Sequence, residues 1–180
     1  MAVNITWKSP PAGTTVTSVD HGSGGNGSTL TAVEVGVSHD GSNPITNCKF
    51  YIGQKSGVYS GGFSAVADLA ELLSWGDASV AADFGGFQIN MNQVASYPTA
   101  NWPTETTKQP SYGSAVYTGV GDSAANGILL KTTMDSTMTM DGIIPASVEA
   151  KFKCRIHIPT NAINPGIRQF DQKLRYTYTS

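Results

Sequence analysis

The sequence predicts a mainly β domain, an antiparallel β-sandwich or a Greek-key or jelly-roll-like barrel with one short α-helix over about 65–75, and three observations carry that expectation. Apolar and polar residues alternate with the two-residue period of half-buried strands through most of the chain. Turn pairs such as Asp40-Gly41, Asn43-Pro44 and Pro165-Gly166 punctuate the alternation. Only one segment has a helical period, so the strand–helix–strand rhythm of a parallel sheet is missing. At 180 residues the chain fits a single domain spanning 1–180, long enough to bury a core without disulfide or metal staples.

Taken in order, Val3 to Trp7 alternates as a strand until Pro10-Pro11 stops it. Thr14 to Val19 is β-branched and strand-like, and it runs into a Gly-rich loop over 21–28. Leu30 to Val37 predicts a strand with Val33, Val35 and Val37 on one face and Glu34 and Gly36 on the other. Ile45 to Ile52 places Cys48, Phe50 and Ile52 inward and Lys49 and Tyr51 outward. The helix follows, with Ser64 as its N-cap and Gly76 as its stop. Its expected apolar stripe is Val66, Leu69, Ala70 and Leu73, with Asp68 and Glu71 facing water.

Phe87 to Met91 reads as a short strand before a long Pro-containing loop over 92–114. Loops of that length inside a domain tend to be functional or docked. This one carries Tyr97, Trp102 and Tyr112, residue types that anchor interfaces because they bury much area at low entropic cost. Strands are expected over 115–120 and 128–133, then a run over 134–144 in which Met138 and Met140 fill gaps in the core. Val148 to Ile158 is the clearest strand: Val148, Ala150, Phe152, Cys154, Ile156 and Ile158 share one face, and Glu149, Lys151, Lys153, Arg155 and His157 the other. A final strand, Ile167 to Tyr178, is expected to return beside it as a hairpin, with Phe170, Leu174, Tyr176 and Tyr178 on one side.

Charged residues make up only 13% of the chain, well below the roughly 25% of an average soluble protein. A Thr-, Ser- and Gly-rich surface of that kind suits permanent contact with other chains. The net charge of -2 gives no overall pull toward nucleic acid or an acidic membrane. Charge is nevertheless asymmetric. Residues 1–148 hold five Lys and Arg against eleven Asp and Glu, and residues 149–180 hold six against two. The basic end of one copy therefore suits the acidic body of another, or an acidic partner, through Lys151, Lys153 and Arg155.

Residues that carry chemistry do not fall into catalytic spacings. His21, His39 and His157 stand singly, and the expectation for them is solvated loop or outer-face positions. The run from Asp135 to Asp141 lacks the acids of a calcium loop, and Gly119-Val120-Gly121 lacks the rest of a dinucleotide loop. Cys48 and Cys154 have no Cys-x-x-Cys spacing and read as buried reduced thiols, with a long-range disulfide between them as the alternative. No enzyme, cofactor or metal is expected.

Asp40-Gly41-Ser42-Asn43-Pro44-Ile45, Phe50-Tyr51-Ile52-Gly53, the helix ending Leu72-Leu73-Ser74-Trp75-Gly76-Asp77 and the closing basic strand with its Tyr-Thr-Tyr tail together give the chain a likeness. It resembles the small β-rich virion proteins of tailed bacteriophages, a likeness of style over most of the chain. The resemblance implies a subunit of the neck, tail, baseplate or capsid surface, and the opening Met-Ala-Val-Asn-Ile-Thr-Trp-Lys, which has no charged region followed by an apolar signal core, predicts synthesis in the host cytoplasm without a signal peptide. Its expected partners are other virion proteins and further copies of itself, with no membrane and no nucleic acid. The alternative is a receptor- or glycan-binding β-sandwich module, for which Tyr97, Trp102 and Tyr112 would supply an aromatic floor.

Overall fold

A computed structural model describes residues 3–75, 86–90, 118–119, 121–125, 127–130, 141–162 and 165–179. Eight strands and one helix run through them: β1 (Ile5–Lys8), β2 (Val33–His39), β3 (Ile45–Gln54), α1 (Ala65–Ser74), β4 (Phe87–Asn90), β5 (Thr118–Gly119), β6 (Ile128–Leu129), β7 (Ala150–Ile156) and β8 (Phe170–Tyr178). They form a five-stranded sheet in the order β1-β2-β7-β4-β5 and a three-stranded sheet in the order β6-β3-β8. Every pairing between strands is antiparallel. The described sheets do not close into a barrel, so the sandwich is the form realised.

The period-two pattern decides which side chains enter the core. Along β7 the burial alternates without a break, with Ala150, Phe152, Cys154 and Ile156 buried and Lys151, Lys153 and Arg155 between them. Val148, expected on the same inner face, lies ahead of the strand and stays exposed. Phe50 from the small sheet meets Phe152 and Phe87 from the large one at centroid distances of 5.1 and 6.0 Å. Trp7 closes on Phe50 edge-on at 6.1 Å. Tilted and edge-to-face rings of this kind add to the stabilisation that their area alone provides.

Two expectations about the strands are corrected. Phe170–Tyr178 does not form a hairpin with Ala150–Ile156: β8 pairs with β3 in one sheet, and β7 sits between β2 and β4 in the other. From β2 onward the chain crosses between sheets at almost every connection, so neighbours in sequence lie in opposite layers. Thr14 to Val19 forms no strand of its own and reaches β1 only through an isolated bridge between Lys8 and Thr15.

The helix keeps only part of its expected register: Leu69 and Leu73 pack against the core, but Val66 and Ala70 are exposed. Ser64 caps it as anticipated, its hydroxyl accepting from the Ala67 N–H at 3.1 Å. The buried positions, however, are Asp68 and Leu72, with Trp75 at the C-cap, while Val66 is 60% exposed. Asp68 turns inward because it has partners there, described below, that outweigh the desolvation of its carboxylate. The proposed stop Gly76, the loop over 92–114 and the Met138–Met140 run lie outside the described residues.

Candidate interaction surface

The connection from β3 to α1 and the segment before β8 meet at one corner of the sandwich. Gly62 N–H donates to the Ile167 carbonyl at 2.6 Å, which brings 57–66 and 167–168 together. Beneath this corner lies a compact polar cluster. The side chains of Arg168 and Asp68 are 6% and 0% exposed, and the Arg168 Nε lies 3.8 Å from Asp68 Oδ1. Arg168 Nε also donates to Glu71 Oε2 at 2.9 Å. Tyr59 donates its hydroxyl to Asp68 Oδ2, and the N–H groups of Gly62 and Phe63 donate to the two Asp68 oxygens at 3.3 Å each. Burial and the hydrogen bond to the Asp68 carboxylate raise the Tyr59 phenol above its ordinary value.

A buried carboxylate with this many donors is held in one place, and so is the loop that supplies them. The Arg168 guanidinium sits over Phe63 at 5.4 Å and over Trp75 at 6.0 Å, so both aromatic rings are fixed from one side. Four apolar side chains on the segments that meet at this corner are exposed. Val58 is 90% exposed, Ile167 64%, Val66 60% and Phe63 59%. These four make up most of the large apolar side chains left exposed among the described residues, the others being Ile143 and Val148. Scattered apolar surface residues are ordinary, but a group of them on a braced loop and helix end has the character of a contact face.

The residues expected to mark an interface fare differently. Lys151, Lys153 and Arg155 do share the outer face of the five-stranded sheet, as their spacing requires. Much of their charge is spent within that face: Lys153 pairs with its cross-strand neighbour Glu34 at 3.2 Å, and Arg155 Nε donates to Gln88 at 2.9 Å. Lys151, opposite Gly36, has no ion pair among the described residues. Tyr97, Trp102 and Tyr112 lie outside the described residues. The corner built on Arg168 was not singled out in the sequence, although Phe63 after Gly61-Gly62 and Ile167 after Pro165-Gly166 are large apolar residues in turn-like segments and offered a signal.

The histidines require a correction as well. His39 is not solvated: it continues the inward face of β2, is 5% exposed, and its Nε2 lies 2.9 Å from the Ile144 carbonyl while Nδ1 accepts from Gly41 N–H at 3.2 Å. His21 is drawn out of the Gly-rich loop into the gap between the sheets, edge-on to Phe87 at 5.5 Å and stacked on Phe170 at 6.1 Å. Burial pushes its pKa down to about 4, against a weaker opposing pull from Asp20. His157 is half-buried, its Nδ1 3.1 Å from the Thr29 hydroxyl.

Cys48 and Cys154 are both free and buried, as read from the sequence, and burial pushes each thiol up to about 12. Asp141 spends one carboxylate oxygen on the Ile143 N–H at 2.9 Å, a turn-forming bond. Two clefts indent the described surface. One of about 430 Å³ lies along α1 between Glu71, Ser74, Trp75 and Asn161, and one of about 270 Å³ lies beside Asp20, His21 and Leu30. No helix among the described residues is long and apolar enough to cross a membrane.

No family model, curated protein or solved structure matches this chain.

Proposed function

We propose that this chain is a structural subunit that acts by noncovalent assembly, and that its setting is the virion of a tailed bacteriophage. The observation that carries the assembly reading is the corner just described, where Val58, Phe63, Val66 and Ile167 are exposed around the buried Asp68 and its part-buried partners Arg168 and Glu71. Preorganisation is the physical reason: a contact whose loops are already fixed loses less conformational entropy on docking. The low charge content supports the same reading, since a surface of Thr, Ser and Gly resists association weakly. The phage setting is supported by the likeness of the turn, helix-end and closing-strand segments to small virion proteins.

Quantitative mass spectrometry of purified particles tests the setting. The chain is expected in a fixed ratio to the other virion proteins that survives washing in high salt. Its recovery only in the soluble fraction of the lysate, with none in particles, contradicts the proposal.

A further inference from the structure

β8 is a nine-residue strand at the edge of the three-stranded sheet. Its backbone pairs with β3 on one side, and no backbone hydrogen bond reaches the other side among the described residues. By contrast, the outer edge of β1 is partly covered, because Val16 N–H donates to the Trp7 carbonyl at 2.9 Å and Ser9 N–H to the Thr14 carbonyl at 3.3 Å. A long open edge is a template for strand addition unless something guards it.

The side chains on β8 say what kind of strand would fit. Register with β3 puts Phe50 opposite Leu174 and Ile52 opposite Gln172 on the inner face, leaving Asp171, Lys173, Arg175 and Thr177 on the outer one. Asp171 is already engaged: its Oδ2 accepts from the Ser56 N–H at 3.0 Å and from the Ser56 hydroxyl, and Lys55 lies 3.7 Å from its Oδ1. Lys173 and Arg175 have no acid opposite them. β3 sets Tyr51 against Lys173 and Lys49 against Arg175, and like charges placed directly across a ladder are destabilising. Among the described residues Lys173, Arg175 and Lys49 form no ion pair, the Lys173 amine lying over Gly53 of β3.

We infer that the free edge of β8 receives an extended acidic segment of a partner protein, whose carboxylates at alternate positions pair with Lys173 and Arg175 while its backbone adds a fourth strand to the sheet. The inner side chains of that strand would extend the half-buried face of Leu174 and Tyr176. The same cations disfavour a β8 edge from a second copy in the register centred on Leu174, which sets Lys173 against Arg175 twice, and Asp171 is not available to relieve it. This surface is separate from the apolar corner, and the inference does not depend on it.

The test uses the full chain and a fluorescent nine-residue peptide of alternating Thr and Glu, beside a Thr-Lys peptide and an oligothymidylate of equal charge to the Glu peptide. The Glu peptide is expected to bind, to weaken as salt rises, and to slow amide exchange within 170–178. Lys173→Glu with Arg175→Glu is expected to weaken it about tenfold and to confer binding of the Thr-Lys peptide. Arg175→Gln, a milder change at an exposed site, should give a smaller loss in the same direction. Phe63→Ser should leave peptide binding intact whatever it does to assembly.

Absence of Glu-peptide binding overturns the inference, as does binding without slower exchange in β8. Equal binding of the oligothymidylate would show that phosphate charge suffices and would reject an added strand. Slow exchange in 170–178 that grows with protein concentration alone would assign the edge to a second copy instead.

Discussion

His21 carries two ring nitrogens, both buried and neither hydrogen-bonded to a described residue, between Phe87 and Phe170. A polar group in that state opposes folding, since it leaves water without gaining a partner. It also makes stability depend on pH. Its folded pKa of about 4 lies below the value of 6.5 expected for an unfolded histidine, so between these values the unfolded chain binds a proton that the folded chain refuses. Stability from this group is therefore complete above pH 6.5 and is lost as pH falls toward 4, a change of roughly 3 kcal/mol at most. Replacing His21 by Leu should flatten the denaturation midpoint across that window and raise stability at neutral pH by about 1 kcal/mol, measured by urea unfolding at a series of pH values. The two thiols give a second outcome at this scale. With both pushed up to about 12 by burial, Cys48 and Cys154 should be inert to a thiol reagent in the folded protein and react together once urea unfolds it.

At the scale of elements, α1 is held by its cluster as much as by its apolar face. Arg168→Ala would leave Asp68 buried with its carboxylate unpaired by any cation, and a loss of about 3 kcal/mol is expected in chemical unfolding. Arg168→Ala combined with Asp68→Ala should cost less than the two single changes together, the mark of a shared interaction. The inward turn of Asp68 explains why the helix was legible in extent but only partly in rotation, with Leu69 and Leu73 inward as expected and Val66 and Ala70 not. Capping by Ser64 is a local signal, whereas the partners that draw Asp68 inside, Tyr59 and Arg168, come from nine residues upstream and a hundred downstream. β3 shows a related limit. Its alternation predicts Cys48, Phe50 and Ile52 inward, and they are. Ile45 is also buried, three residues before Cys48, because the ladder with β8 slips between Thr46 and Lys49 at Asn47, whose φ is 51°. Asparagine tolerates that left-handed conformation, and a bulge lets two inward residues sit an odd number apart. Asn47→Val should cost about 1–2 kcal/mol and Asn47→Gly close to nothing, by thermal unfolding.

Across the whole molecule, periodicity identified faces and left partners undetermined. The inner residues of β7 could be read directly, since alternation is a property of one strand; its neighbours β2 and β4 could not, since their paired residues lie 113 to 121 and 63 to 69 positions away and follow from sheet crossings that no local signal marks. The apolar corner was missed for the same reason: Phe63 and Ile167 become adjacent only when 57–66 meets 167–168. The proposed assembly role rests on that adjacency, and its most direct test is the mass of the full chain in solution. Multi-angle light scattering over a hundredfold range of concentration should show wild-type chain rising to a defined multiple of its own mass. Phe63→Ser with Ile167→Ser, both on exposed positions, should remain at the mass of one chain with an unchanged unfolding midpoint. Equal masses for wild type and variant at every concentration would contradict the account.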